Sequence, residues 1–335
     1  MNDLYEKMIS RFLQPVSSLE MGVGDAYYFL RQDGAFVFTE GYLHPEGGLM
    51  GKVMLSPDPA GDTDVFGRKF RSSYKKVVDG ELVLIPHPEQ LRIQFELSPG
   101  LDPARPRPVY EEYHVEFPLS DFSGVFEHRH SLRTAMEIYP TVKNSIDDIC
   151  AGFDVPLSRL GCTGSTCYGK FEDPDDDIDL VWYGSIAENR EILAKIREVT
   201  RDPRNRVFEF GRWWPIRFFW KKMMICSFFN YRLEEEIPLR NCRITLLEDD
   251  VKGVGMVDDD THSIYMPSIV RLTHLLLNGK KSPDLDLVIY DGALRGEYFN
   301  GDYLKFVGRR ILIEKGGSEE EALLVTLSDR INKEN

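Results

Sequence analysis

Residues 161–183 are the stretch of this sequence in which residue type and spacing together specify a reaction centre. It reads Gly161-Cys162-Thr163-Gly164-Ser165-Thr166-Cys167-Tyr168-Gly169, continues through 170–176, and enters the apolar run Asp177-Ile178-Asp179-Leu180-Val181-Trp182-Tyr183. Side chains two apart on a strand share a face, so Asp177 and Asp179 point the same way as the strand begins. Two carboxylates on one face suit a hard cation. Mg2+ takes oxygen ligands at about 2.1 Å, commonly one or two carboxylates plus substrate phosphate oxygens, and Mn2+ is the alternative ion. Such an ion neutralises charge that develops in phosphoryl or nucleotidyl transfer. Gly164 lets the backbone approach a phosphate closely, and the Ser165 hydroxyl and neighbouring amides can donate to it. The bland alternative is a solvated acidic turn over 172–177 ahead of an ordinary buried strand. It explains the charge run but leaves Gly164-Ser165 at that spacing as coincidence.

Gly-Ser, a loop, then Asp-x-Asp entering a strand resembles the signature of the polymerase-beta-like nucleotidyltransferase superfamily, here as Gly164-Ser165 and Asp177-Ile178-Asp179. The wider chain looks like uncharacterised archaeal-type predicted nucleotidyltransferases, which also carry a stretch resembling Gly41-Tyr42-Leu43-His44-Pro45 and a C-terminal β domain. The resemblance implies an α/β (α+β) nucleotidyltransferase core with a mixed sheet, flanked by β-rich domains. It also implies a nucleoside triphosphate bound with Mg2+ or Mn2+, Gly164 and Ser165 on phosphate, and Asp177 and Asp179 as catalytic metal ligands. The expected reaction moves a nucleoside monophosphate to a hydroxyl acceptor, RNA being one candidate. Catalytic members place a third carboxylate on a later strand. The candidate strand, 223–230, has no Asp or Glu; Asn230 lies near the expected place, with Glu209 and Glu234 as substitutes. That gap keeps open a second reading, a nucleotide-binding or sensor module without turnover, and a third, an RNA-end-processing protein.

Other chemistry-bearing groups are less specific. Arg201, Arg204, Arg206, Arg212, Arg217, Lys221 and Lys222 lie among Trp213, Trp214 and Trp220, opposed only by Asp202 and Glu209. This reads equally as a surface that holds triphosphate or stacks a nucleic-acid end, and as a solvated helix end followed by a hairpin with core tryptophans. His44, in a Pro and Gly turn, reads as structural. His128 and His130, two apart beside Glu127, read as a surface pair in preference to a metal site on a strand.

The elements that must position Gly164 to Asp179 follow from periodicity. The spacing of Leu132, Met136, Ile138, Val142, Ile146 and Ile149 predicts a helix over 131–153 interrupted at Pro140. A strand over 178–183 leads into a helix that Ser185 and Glu188 open as a capping box, with Ile192, Leu193, Ile196 and Val199 as its buried face. Residues 223–229 read as another strand of the same sheet. Upstream, alternating runs at 26–30, 35–38, 82–85 and 91–95 predict strands, and Pro103, Pro106 and Pro108 predict an irregular internal loop. Downstream, 244–247, 287–290, 303–307 with 311–313, and 323–327 predict strands of a small antiparallel barrel. The expected division is a β-rich N-terminal domain at 1–125, the nucleotidyltransferase domain at 126–238 and a small β domain at 239–335.

At 335 residues, 42% of them hydrophobic, the chain can bury more than one core. With 55 acidic against 41 basic residues the net charge is -14, which counts against a general nucleic-acid coat protein. The five cysteines are odd in number and lack paired CxxC spacing, so they read as reduced thiols of a cytoplasmic protein. Residues 1–15 include Asp3 and Glu6 and no long apolar run, which is the expectation for a chain with neither signal peptide nor membrane anchor.

Overall fold

The structure, a computed structural model, describes residues 2–78, 81–98, 100–104, 107–172 and 176–334. Pro106 and the middle of the acidic run, 173–175, lie outside them.

The chain begins with helix Asn2–Phe12, which buries Tyr5, Ile9 and Phe12 at helical spacing. An eight-stranded sheet follows, in which the long strand Gly48–Pro57 pairs with Phe36–Phe38, Arg68–Ser72 and Val115–Pro118. Residues 91–95, expected as a strand, lie instead within helix His87–Leu97. Leu91, Ile93 and Phe95 alternate with polar residues, a strand period. Pro86 at the N-cap and Pro88 in the first turn favour a helix start, and Gln94 is drawn inward to accept from the Val53 amide at 2.9 Å.

Helices His128–Ile138 and Pro140–Phe153 are separated at Tyr139, whose ψ of 103° is extended as a residue before proline requires. They cover one face of a five-stranded sheet. In spatial order its strands are Leu160–Cys162, Ile178–Gly184, Met223–Tyr231, Arg212–Trp220 and Arg206–Glu209. Helix Ile186–Val199, opened by the capping box of Ser185 and Glu188, carries the chain between the two strands that run parallel.

In the C-terminal segment, strand Arg243–His262 pairs with Ser268–Leu277 on one side and Tyr303–Lys315 on the other. Leu285–Tyr290 and Ser318–Thr326 complete a closed ring of pairings. The expected antiparallel barrel is corrected in one respect: Leu285–Tyr290 and Ser318–Thr326 run parallel.

The expected α/β class is also corrected. Strand residues outnumber helical ones, 43% against 25%, and the two largest sheets have eight and seven strands, so the chain is β-rich. An α/β core needs a helical crossover for each parallel strand and helices on both faces. Here one parallel pair in the central sheet and one in the C-terminal ring are the parallel pairings among the described strands, and hairpin connections dominate. The largest buried cluster runs from Tyr5 and Phe12 through Phe126, Phe153 and Trp182 to Tyr265, so it joins side chains from all three sheeted segments. No helix among the described residues is long and apolar enough to cross a membrane.

Candidate metal and phosphate site

Strand Ile178–Gly184 buries Ile178 and Leu180 in the core, and alternation turns Asp177 and Asp179 to the opposite face. Strand Leu160–Cys162 lies antiparallel beside it, with Cys162 opposite Leu180. The chain therefore emerges next to the two aspartates and turns at Thr163, whose amide donates to the Asp179 carbonyl at 2.8 Å. Gly164 follows with φ 62° and ψ -153°, a region essentially restricted to glycine. A Cβ on Gly164 would sit 1.8 Å from Asp179 Oδ2, so the turn rests directly on the carboxylate. One turn of 3₁₀ helix, Ser165–Tyr168, then ends at Gly169 with φ 87°. Phe12 packs under Gly169, where a Cβ would meet its ring at 2.4 Å, so the N-terminal helix props the loop from below. All four site residues expected from the sequence, Gly164, Ser165, Asp177 and Asp179, thus belong to one short arc of chain.

The register of the sheet adds residues that sequence reasoning missed. Asp179 lies opposite Cys226 on the parallel strand Met223–Tyr231, and Cys226 lies opposite Arg217 on the next strand. Paired residues share a face, so Asp179, Cys226 and Arg217 form a row across three strands. Ligand atoms of Asp177, Asp179 and Cys226 lie within 4.8 Å of one another, and the Cys226 thiol donates to Asp177 Oδ2 at 3.0 Å. Burial, together with Asp179 and Asp177, holds that thiol well above its ordinary range, so it stays protonated and is a poor partner for a hard cation. The two carboxylates fit Mg2+ or Mn2+; the third position does not add an anion.

Burial also raises Asp179, from 3.8 to about 7; Asp177 and Asp176 add repulsion, while Arg217 and Lys75 pull the other way. Lys75 reaches the site from the N-terminal segment and lies 5.8 Å from the Phe210 ring. Arg217 is held by Glu209 at 2.7 Å and stacks 3.8 Å over Trp214.

Of the candidates for a third acid, Asn230 and Glu234 lie away from the candidate metal site, and Glu209 is turned to Arg217. Asn230 pairs with Tyr183, four positions along the strand from the Asp179 row, or about 13 Å. Its amide donates to the Asp25 carbonyl at 3.2 Å. Glu209 is engaged by Arg217, and Glu234, beyond the far end of that strand, pairs with Arg240 at 3.5 Å. Strand alignment, which alternation leaves free to slip by two residues, was the missing information.

The histidines are structural. His44 accepts from the Met50 amide at 3.2 Å and lies 3.2 Å from the Gly41 carbonyl. His128 opens a helix, not a strand, stacks on Tyr27 at 3.9 Å, and hydrogen-bonds Tyr183 and the Ala26 carbonyl. His130 binds the Arg11 carbonyl at 2.8 Å. Of the basic run, Arg204, Arg212, Arg217 and Lys221 are paired with Asp202, Glu297, Glu209 and Asp148. Trp220 packs on Phe153, as a core tryptophan should. Compared with protein-family models, curated proteins and solved structures, the chain matches none.

Proposed function

We propose that this chain binds a nucleoside triphosphate with Mg2+ or Mn2+ at Gly164, Ser165, Asp177 and Asp179, and that the reaction of this site is transfer of a nucleoside monophosphate to a hydroxyl with release of pyrophosphate. The observation that carries the reading is the contact of the Gly164 turn with Asp179, which sets the amides that would donate to phosphate against the face that carries both carboxylates. When bound, the cation would neutralise phosphate charge and polarise the reacting phosphorus. Asp177 and Asp179 would hold it, and the Ser165 hydroxyl and adjacent amides would donate to phosphate oxygens. Lys75 and Arg217, the cations that act on Asp179, supply positive potential at the same face.

Binding should require the cation, because the carboxylates otherwise repel the triphosphate. Calorimetry with each nucleoside triphosphate, with and without Mg2+, tests this; equal binding under EDTA, or no binding of any triphosphate, sinks it. Labelled product from an α-labelled triphosphate tests the transfer.

The second reading, binding without turnover, is favoured by one observation: the residue beside Asp179 is a protonated cysteine. Cys226→Asp would place an anion there and should raise both Mn2+ affinity and any transfer rate. Asn230→Asp should do neither, since it lies outside the row. Transfer by the wild type that Cys226→Asp leaves unchanged would remove the second reading.

A further inference from the structure

Beyond the metal face, the hairpin of Arg206–Glu209 and Arg212–Trp220 carries aromatic rings that the core does not use. Trp213 is 57% exposed, Phe208 56% and Phe210 46%. Phe208 and Trp213 meet edge to face at 5.1 Å and form a stiff platform. Beside it is a cleft of 450 Å³, lined by Arg197, Arg201, Arg206, Trp213, Trp214 and Phe299. Lys333 also lines it. The exposed Arg201 and Arg206 have no carboxylate partner among the described residues; the Arg206 Nε donates to the Thr200 carbonyl at 2.7 Å, and its two terminal nitrogens have no salt-bridge partner among the described residues. The acid that enters the cleft, Glu297, is held by Arg212 at 3.3 Å. In a chain of net charge -14, unpaired cations beside exposed aromatic faces are the complement of one polymer chemistry: unstacked bases joined by phosphates.

We infer that this cleft binds a single-stranded polynucleotide, with a base on Trp213 and phosphates on Arg201 and Arg206. A duplex keeps its bases stacked on each other and cannot use the platform. Trp214 lines the cleft and lies under the Arg217 guanidinium, so the polynucleotide site abuts the row of Asp179, Cys226 and Arg217. The inference rests on the proposed function in one respect: it names a single-stranded end as the class of acceptor hydroxyl.

The test is fluorescence anisotropy with labelled single-stranded RNA, single-stranded DNA and duplex DNA, all in EDTA, on the full chain. Binding of a single strand is expected, with the duplex weaker. Trp213→Ala should weaken it at least about fivefold. Arg201→Ser with Arg206→Ser should lower the slope of log affinity against log salt by about 0.7 for each phosphate that is no longer neutralised. These side chains are at the surface, so the variants should fold, which circular dichroism checks. Preference for either strand chemistry supports the inference and names the polymer. Equal or tighter duplex binding, no binding of any strand, or binding untouched by all three substitutions overturns it. Because EDTA removes the metal, failure here with intact Mg2+-dependent triphosphate binding rejects the polynucleotide site alone, and the reverse pattern rejects the nucleotide site alone.

Discussion

Among the described residues two groups of side chains have the composition of metal ligands, and their surroundings differ. Glu40, Glu111 and His114 are enclosed, with His114 2.7 Å from Glu111 and 3.1 Å from Glu40. Lys52 stands 3.7 Å from Glu40 with its own side chain 6% exposed. Burial would raise Glu40, yet Lys52 and His114 outweigh it and hold the carboxyl well below its ordinary range. Burial likewise opposes a charged His114, and Glu111 and Glu40 reverse that. This group supplies its own counter-charges and closes as an internal ion network. At Asp177 and Asp179 the balance goes the other way: Asp179 is raised to about 7, and Arg217 also serves Glu209. A carboxylate cluster that a protein leaves under-neutralised is one that a cation from solution can complete. Residue composition alone does not separate the two groups; the fixed lysine does.

The comparison can be broken most sharply at Lys52. Lys52→Met leaves the mostly buried Glu40 without its lysine and two glutamates sharing one histidine, and should lower stability by about 3–5 kcal/mol in urea denaturation. A loss under about 1 kcal/mol would show that the network is not held by charge. Gly164→Ala is next: backbone strain at φ 62° and overlap with Asp179 should together lower stability by roughly 2–4 kcal/mol and remove Mg2+-dependent triphosphate binding. Adding Asp179→Ala should restore part of that stability, and the absence of any rescue would mean that the turn does not rest on the carboxylate.

Asp177→Asn with Asp179→Asn should act oppositely to Lys52→Met. It should raise the stability of the metal-free protein by on the order of 1 kcal/mol, discounted for partial exposure, while abolishing metal-dependent binding. Unfolding of that double variant would make the aspartates structural. The smallest effect is its pH dependence. Asp179 holds its proton up to about 7 in the folded chain but releases it near 3.8 when unfolded, so its contribution to stability falls as pH rises from 4 to 7. The advantage of Asp179→Asn in thermal midpoint should therefore be full at pH 8 and vanish toward pH 4. An advantage that is constant over this range would separate Asp179 from the effect.

How far the sequence could be read depended on the range of the interactions concerned. The turn at Gly164 and the shared face of Asp177 and Asp179 were legible because turn geometry and strand alternation are local. The capping box at Ser185 and the helix break at Pro140 were legible for the same reason. Residues 91–95 were not, since their alternation suits a strand and what drew them into a helix includes the bond from Val53 to Gln94. The expectation that Asn230 stands near the place of a third carboxylate failed because the register of Met223–Tyr231 beside Ile178–Gly184 sets Cys226, not Asn230, opposite Asp179. Sequence by itself determined which residues share the Gly164 to Asp179 arc, through bonds and alternation within about twenty positions. The tertiary structure alone decided that Cys226, Arg217 and Lys75 join it, that the chain is β-rich, and that Lys52 neutralises the rival cluster. Those outcomes rest on interactions between segments far apart in the chain, whose register and distance no local pattern encodes.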